Sequence, residues 1–162
     1  MAIDGTALTN TTTATSILPA AAKYTLPGGP NSFAIGKVYR ITAFGRISTL
    51  TTTPGNLTLD VRFGSTVVFN GGAMALNVTA KTNVSWRALM MLTCRSIGAS
   101  TSATMLGMGD WCSEAALSSA AGVADDMMMP ASAPAVGTGF DSTTSQVVDL
   151  FATFSVANAA NS

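Results

Sequence analysis

The feature that most constrains the fold is a strict alternation of apolar and polar residues around position 60. Four apolar residues alternate with four polar or small ones: Leu57, Leu59, Val61 and Phe63 against Thr58, Asp60, Arg62 and Gly64. Successive side chains of a β-strand point to opposite faces, so this period of two predicts a strand with one buried and one exposed face.

The same period recurs along much of the chain. Residues 39–48 put mostly apolar side chains on one face, with Phe44 as an exception on the polar face. Residues 84–95 and 146–155 alternate in the same way. Three further runs are candidate strands: 66–69, 73–78 and 103–114. These runs are separated by residues that favour turns, which indicates antiparallel pairing.

Helical spacing is nearly absent, and only residues 114–121 could form a short helix. Seven to nine short strands predict an all-β fold, an antiparallel β-sandwich of jelly-roll or immunoglobulin-like topology. We take the jelly-roll as the expected topology. The chain has 162 residues, which is enough for one hydrophobic core.

The polar residues 1–16 lack the spacing of a buried face, and we expect them to form a flexible N-terminal arm. Residues 17–162 are then a single β-sandwich domain. A long loop is expected between the strands that end near Ser113 and begin after Asp141, and loops of this length are usually functional or disordered.

Charge is sparse and unevenly distributed. Only 10% of the residues are charged, all eight basic residues lie in the first 95 positions, and six of the eight acidic ones lie after them. The bases are scattered along predicted strands, so we expect the two halves to neutralise each other rather than bind nucleic acid.

The start has no signal-peptide pattern, and no stretch reaches the roughly 18 apolar residues of a membrane span. Synthesis in the cytosol and no membrane partner are therefore expected.

The composition argues against most enzymes. The chain has no histidine and a single glutamate, Glu114, so the imidazole base of a Ser/His/Asp or Cys/His pair is missing. Asp110 with Glu114, and Asp125 with Asp126, are more readily explained as solvated surface acids than as a catalytic pair. Asp125, Asp126 and Asp141 match no calcium motif. We expect no catalysis, no cofactor and no metal site.

The two cysteines are predicted to be free thiols. If residues 84–95 and 103–114 pair as a hairpin centred near Ala99, Cys94 lies opposite about Thr104 and Cys112 opposite about Trp86. The sulfurs are then about eight residues out of register, far beyond the roughly 7 Å between Cα atoms that a disulfide spans.

Two segments are candidate contact sites for a partner. The first is the methionine triplet in the long loop, and the second is a threonine run in the arm: Met127, Met128 and Met129, and Thr11, Thr12 and Thr13. Flexible thioethers fill irregular grooves well, so the triplet could contact a partner. It could equally fold back under its own sandwich, and the sequence leaves both alternatives open.

Four stretches of the sequence resemble a family of small structural proteins encoded by tailed bacteriophages. They are RITAFGRIS at 40–48, TTPGNLTLDVRFG at 52–64, VFNGG at 68–72 and PASAPAVGTGFDS at 130–142. The similarity extends over most of residues 16–162. The resemblance implies a virion component, a β-sandwich that forms a homotrimer on the outside of the head as a decoration or cement protein. Its partner would be the major capsid protein.

The chain departs from that family at its end. Members of the family continue past residues 159–162 into another strand, which this chain lacks. If that strand closes a sheet edge, a partner subunit is expected to supply it.

A second function class is a glycan- or receptor-binding module of a phage head fibre or tail fibre. Sugar sites use exposed aromatic rings beside carboxylates, so Trp86 or Trp111 with Asp110 are its candidate residues. We expect these tryptophans to fill the core instead.

Overall fold

The computed structural model describes residues 4–118 and 120–162. In these residues it contains ten strands and one turn of 3₁₀-helix at Ala20–Ala22. The strands are β1 (Thr15–Ser16), β2 (Tyr24–Leu26), β3 (Val38–Thr49), β4 (Asn56–Phe63), β5 (Thr66–Asn70), β6 (Met74–Ala75), β7 (Lys81–Ser96), β8 (Thr104–Ser113), β9 (Asp125–Met129) and β10 (Gln146–Phe154). Seven of them have five or more residues, in line with the expected seven to nine.

The strands form two antiparallel sheets. Sheet A has the order β1-β10-β4-β5, with β2 also paired to β10 and β6 to β4. Sheet B has the order β3-β7-β8-β9. The all-β antiparallel sandwich predicted from the alternation is therefore confirmed, whereas the jelly-roll topology stays a prediction. No helix in the described ranges is long and apolar enough to cross a membrane.

The alternating runs lie where the sequence predicted them. In β4 the apolar residues Leu57, Leu59, Val61 and Phe63 are all buried. The long strands β3 and β7 pair over eleven residue positions, with Ala43 opposite Ala88 near the middle. The hairpin of β7 and β8 is also confirmed, with Cys94 opposite Met105 and Cys112 opposite Arg87, one residue from the expected register. Both thiols are free.

The described residues of the segment 114–121 do not form the helix that their composition allowed. Ala115 and Ala116 are fully buried, and the Leu117 N–H donates to the Ala75 carbonyl at 3.1 Å. The Asn77 N–H in turn donates to the Ala115 carbonyl at 2.9 Å. These backbone groups bond to the neighbourhood of β6, so they are not free for the bonds of a helix.

The long loop contains a strand that the sequence analysis missed. Strand β9 pairs with β8 over five positions and forms the edge of sheet B. Its residues, two aspartates and three methionines, have no alternation of apolar and polar types, so no period of two could identify it.

The packed part of the chain begins before residue 17, where the sequence analysis placed the end of the arm. Thr15 and Ser16 form β1 opposite Ala152 and Phe151 of β10. Leu8 is buried in the core. One apolar residue in a polar run gives no periodic signal, so this anchor was not detectable from the pattern. The flexibility of the remaining segment stays a prediction.

The core lies between the inner faces of the two sheets. Its largest fully buried side chain is Trp111 of β8, which lies opposite Ala88 of β7. At one end, Phe33, Phe63 and Phe140 pack with their ring centroids 5.0–5.9 Å apart. Aromatic rings at this spacing add to the stabilisation that comes from burial.

We predict that Leu59→Ala lowers the free energy of unfolding by about 2–5 kcal/mol, because it leaves a cavity at a site that is 1% exposed. Urea denaturation followed by tryptophan fluorescence measures this loss. The matched control is Thr58→Ala on the opposite face of the same strand, with an expected change below about 1 kcal/mol. Equal losses in the two variants would contradict the assignment of the inner face.

Candidate functional site

The outer face of sheet B carries exposed apolar side chains on all four of its strands. We call it the B face and define it by five outward side chains: Val38, Phe44, Met91, Met108 and Met128. Phe44 is 84% exposed and Met128 is 56% exposed. Met91 lies directly opposite Met108, so their thioethers share one row of the sheet. Charged side chains lie between these apolar ones, with Arg87 opposite Phe44 and Asp110 opposite Met128. Exposed large apolar side chains that share one face of a sheet are a common feature of interaction sites.

Four charged residues surround a shallow depression on the B face, which has a volume of about 420 Å³. Arg40 and Arg87 come from β3 and β7, whereas Asp110 and Asp126 come from β8 and β9. The two bases therefore lie on one half of the face and the two acids on the other. A second surface with the opposite arrangement would be electrostatically complementary to it.

The Cys112 side chain is a free thiol beside this depression. Its thiol is half-buried on β8, directly opposite Asp126 of β9. Burial, together with the hydrogen bond and the negative charge of Asp126, raises the pKa of Cys112, and Arg87 lowers it by a smaller amount. The raised pKa keeps the sulfur protonated and therefore poorly nucleophilic at neutral pH.

The structure divides the predicted methionine site between the core and the surface. Met127 and Met129 lie opposite Trp111 and Gly109 on the inner side of sheet B, and Met129 is fully buried. Met128 lies opposite Asp110 and points outward. The fold-back alternative therefore holds for Met127 and Met129. A partner contact by Met128 stays a prediction.

The predicted threonine site does not join the methionines. Thr11, Thr12 and Thr13 are at the surface just before β1, which belongs to sheet A, whereas β9 belongs to sheet B. The Thr11 side chain accepts a hydrogen bond from the Thr13 N–H at 3.0 Å, so part of the run is held in a local turn. The two segments are thus separate surfaces.

The residues proposed for a glycan site are not arranged for stacking on a sugar. Trp111 is fully buried. Trp86 is half-buried against the core, and its indole N–H donates to the Arg46 carbonyl at 3.2 Å. The expectation that both tryptophans contribute to the core is confirmed for Trp111 and, in part, for Trp86.

Among residues 4–118 and 120–162, no three His, Cys, Asp or Glu side chains lie close enough to hold a metal ion. The aspartates considered for calcium have other partners. Asp125 accepts a hydrogen bond from the Ser118 hydroxyl, and Asp141 accepts one from the Thr143 hydroxyl at 2.6 Å. The latter bond, with further backbone donors, lowers the pKa of Asp141.

The segment that leads to β9 is fixed by one ion pair. The Lys81 ammonium lies 2.8 Å from the Glu114 carboxylate, and the Gly122 N–H donates to the same oxygen at 2.9 Å. These hydrogen bonds lower the pKa of Glu114. The contact joins the start of β7 to the segment between β8 and β9, so it supports the acidic half of the B face.

In comparisons with known proteins, no family model, curated protein or solved structure matches this chain.

The B face was not identified from the sequence, although one signal for it was present. Phe44 interrupts the polar side of β3, and it is the most exposed large apolar residue of the described chain. Met91 and Met108 gave no comparable signal. Each lies in an apolar-rich run, and only the pairing of β7 with β8 places them side by side.

We predict that Asp126→Asn makes Cys112 react faster with iodoacetamide and moves the midpoint of its pH–rate profile to lower pH. The negative charge that disfavours the thiolate is removed, and the remaining Arg87 favours it. Mass spectrometry of the alkylated peptide separates Cys112 from the buried Cys94. Asp125→Asn is the matched control, and an equal shift in that variant would contradict the assignment.

We predict that Glu114 makes the protein sensitive to acid. Because its folded-state pKa is lowered, its contribution to stability is complete above the ordinary carboxyl pKa and is lost as the pH falls through the lowered value. The thermal midpoint of Glu114→Gln should therefore fall less than that of the wild type between about pH 5 and pH 3. Equal acid sensitivity would exclude this role for the Lys81–Glu114 pair.

Proposed function

We propose that this protein is a structural virion protein of a tailed bacteriophage, a homotrimeric decoration or cement protein on the capsid surface. The observation that carries the assembly role is the B face, on which Phe44, Met91, Met108 and Met128 remain exposed across four strands. The sequence resemblance of residues 40–72 and 130–142 supplies the link to phage particles. The proposal assigns the protein no reaction, cofactor, nucleic acid or membrane.

The chemistry of the B face supports association with protein surfaces. Methionine and aromatic side chains are enriched in protein interfaces, and the polarizable thioether adapts to an irregular partner surface. On β7 the neighbours of Met91 on this face are the uncharged Leu89 and Thr93, whereas Arg40 of β3 lies directly opposite Met91.

The charge arrangement on the B face supports contacts between copies. Arg40 and Arg87 of one copy can lie against Asp110 and Asp126 of the next, which pairs opposite charges around a closed ring. A two-fold dimer could pair the same halves. The resemblance favours the trimer, and the stoichiometry is the quantity that an experiment has to measure.

We expect the protein to be a trimer in solution by size-exclusion chromatography with light scattering. The double variant Met91→Lys, Met108→Lys should be monomeric, because it places two unpaired charges in the centre of the apolar row. The control is Val147→Lys, which changes an exposed apolar residue of sheet A and should leave the trimer intact. A stable monomer or dimer of the wild type would contradict the trimer.

The shell contact needs a second experiment. Capsids that carry the protein should survive heating that opens capsids from which it has been removed, and adding the purified protein back should restore the resistance. Electron microscopy of the restored particles should show density on the outer surface. Equal heat resistance with and without the protein, or absence of the protein from purified virions, would exclude the cement role.

A further inference from the structure

The two sheets do not close against each other along β3. A cleft of about 900 Å³ opens between the inner side of β3 and the inner side of sheet A. Its lining is largely apolar and includes Tyr39 and Ile41 of β3 and Val148 of β10, with the buried core residues Leu59 and Leu150 at its base. Tyr39, Ile41 and Val148 are only partly buried, although each is packed against the core.

Sheet A extends past β3 at this side. Strands β1 and β2 both pair with β10, and Ile17, Tyr24 and Leu26, in or next to them, line the cleft. In sheet B, β3 is the last strand in the described part of the chain. The cleft therefore occupies the position that one more strand of sheet B would fill.

The backbone of β3 presents an edge to this position. The Lys37 carbonyl accepts a hydrogen bond from the Cys94 N–H of β7, so the odd-numbered residues of β3 point their backbone groups toward β7. The even-numbered residues between 38 and 48 point theirs away from β7. In the described ranges, β3 forms strand pairs with β7 alone.

One backbone contact already lies on this edge, and it shows that a strand here can run antiparallel to β3. The Ser48 N–H donates to the Ser162 carbonyl at 2.8 Å, and the Ser162 N–H donates to the Ser48 carbonyl at 3.1 Å. This reciprocal pair of bonds is the hydrogen-bonded pair of an antiparallel ladder. Beyond it, the backbone groups of Thr42 and Phe44 face the cleft side and belong to no strand pair on that side in the described residues. The N-terminal residues 4–8 line the same cleft, and the Asp4 carboxylate lies 3.3 Å from the Arg46 guanidinium at one end of it.

We propose that the cleft accepts an extended strand of a partner chain, which runs antiparallel to β3 and is apolar at every second residue. Its backbone would pair with the even-numbered residues of β3, and its alternate side chains would enter the apolar cleft between Ile41 and Val148. This is β-strand addition, in which the main chain supplies affinity and the alternate side chains supply specificity. It is independent of the B face and of any capsid.

The chemistry of the edge favours a peptide over an alkyl ligand. A hydrocarbon chain could fill the cleft, but it offers no donor or acceptor to the backbone groups of β3. A peptide strand offers both, and its rise of about 3.4 Å per residue matches that of β3. The strand also extends an interaction that the Ser48–Ser162 pair has begun.

The test uses the full chain and a fluorescent synthetic peptide, acetyl-Lys-Thr-Val-Thr-Val-Thr-Lys-amide, followed by anisotropy. Binding is expected, and replacing both valines by serine should weaken it by at least about tenfold, or about 1.4 kcal/mol. No binding of the parent peptide at about 1 mM would overturn the proposal.

Two N-methylated peptides test the register. In a hydrogen-bonded antiparallel pair, directly opposite residues point their side chains to the same face. Residues that bond to Thr42 and Phe44 therefore point outward, and they are the threonines if the valines enter the cleft. Methylation of the threonine amides should abolish binding, whereas methylation of the valine amides should preserve it. Equal binding of both, or binding of dodecanoate in place of the parent peptide, would overturn strand addition.

Variants of the protein test the location. Ile41→Lys places a charge in the cleft and should weaken peptide binding by at least about tenfold. The matched control, Thr42→Lys, changes the neighbouring residue on the outer face and should bind as the wild type does. Because the N-methyl comparison uses the unaltered protein, it remains decisive if Ile41→Lys does not fold.

Discussion

The burial of one face of every long strand is the constraint on which the rest of this structure depends. Strands β4 and β10 of sheet A pair so that Leu59 lies opposite Ala152 and Val61 opposite Leu150, and these side chains point toward sheet B. A slip of one residue would expose the whole set. With so few charged residues in the chain, little else could hold the two sheets in one arrangement.

The same constraint explains why the two candidate surfaces differ. An outward face is free of the packing requirement, so the B face can carry Phe44 and Met128 without cost to the core. The cleft has the opposite origin, because its residues are inward-facing and apolar but have no strand of sheet B opposite them beyond β3. The B face is an outer surface that carries apolar side chains. The cleft is a part of the inner surface that no strand of sheet B covers in the described residues.

Much of the fold was predictable, and less of the candidate site. The strands with regular alternation, such as β4, β7 and β10, were located closely because a period of two is a local property. Strand β9 was missed because two aspartates and three methionines carry no such period. The methionine triplet was singled out correctly as unusual, but its division into two inward residues and one outward residue became visible only with the pairing of β9 to β8.

By itself, the sequence determined that this chain forms paired strands, which side chains they bury, and that no imidazole is available for catalysis. It also determined that Phe44 is an apolar residue on the polar face of its strand. Only the tertiary structure decided that Met91 lies beside Met108, that β3 is an edge, and that Ser162 reaches Ser48. The reason is physical: alternation is set by neighbours in the chain, whereas edges, rows and clefts are set by pairing between residues that are far apart in it.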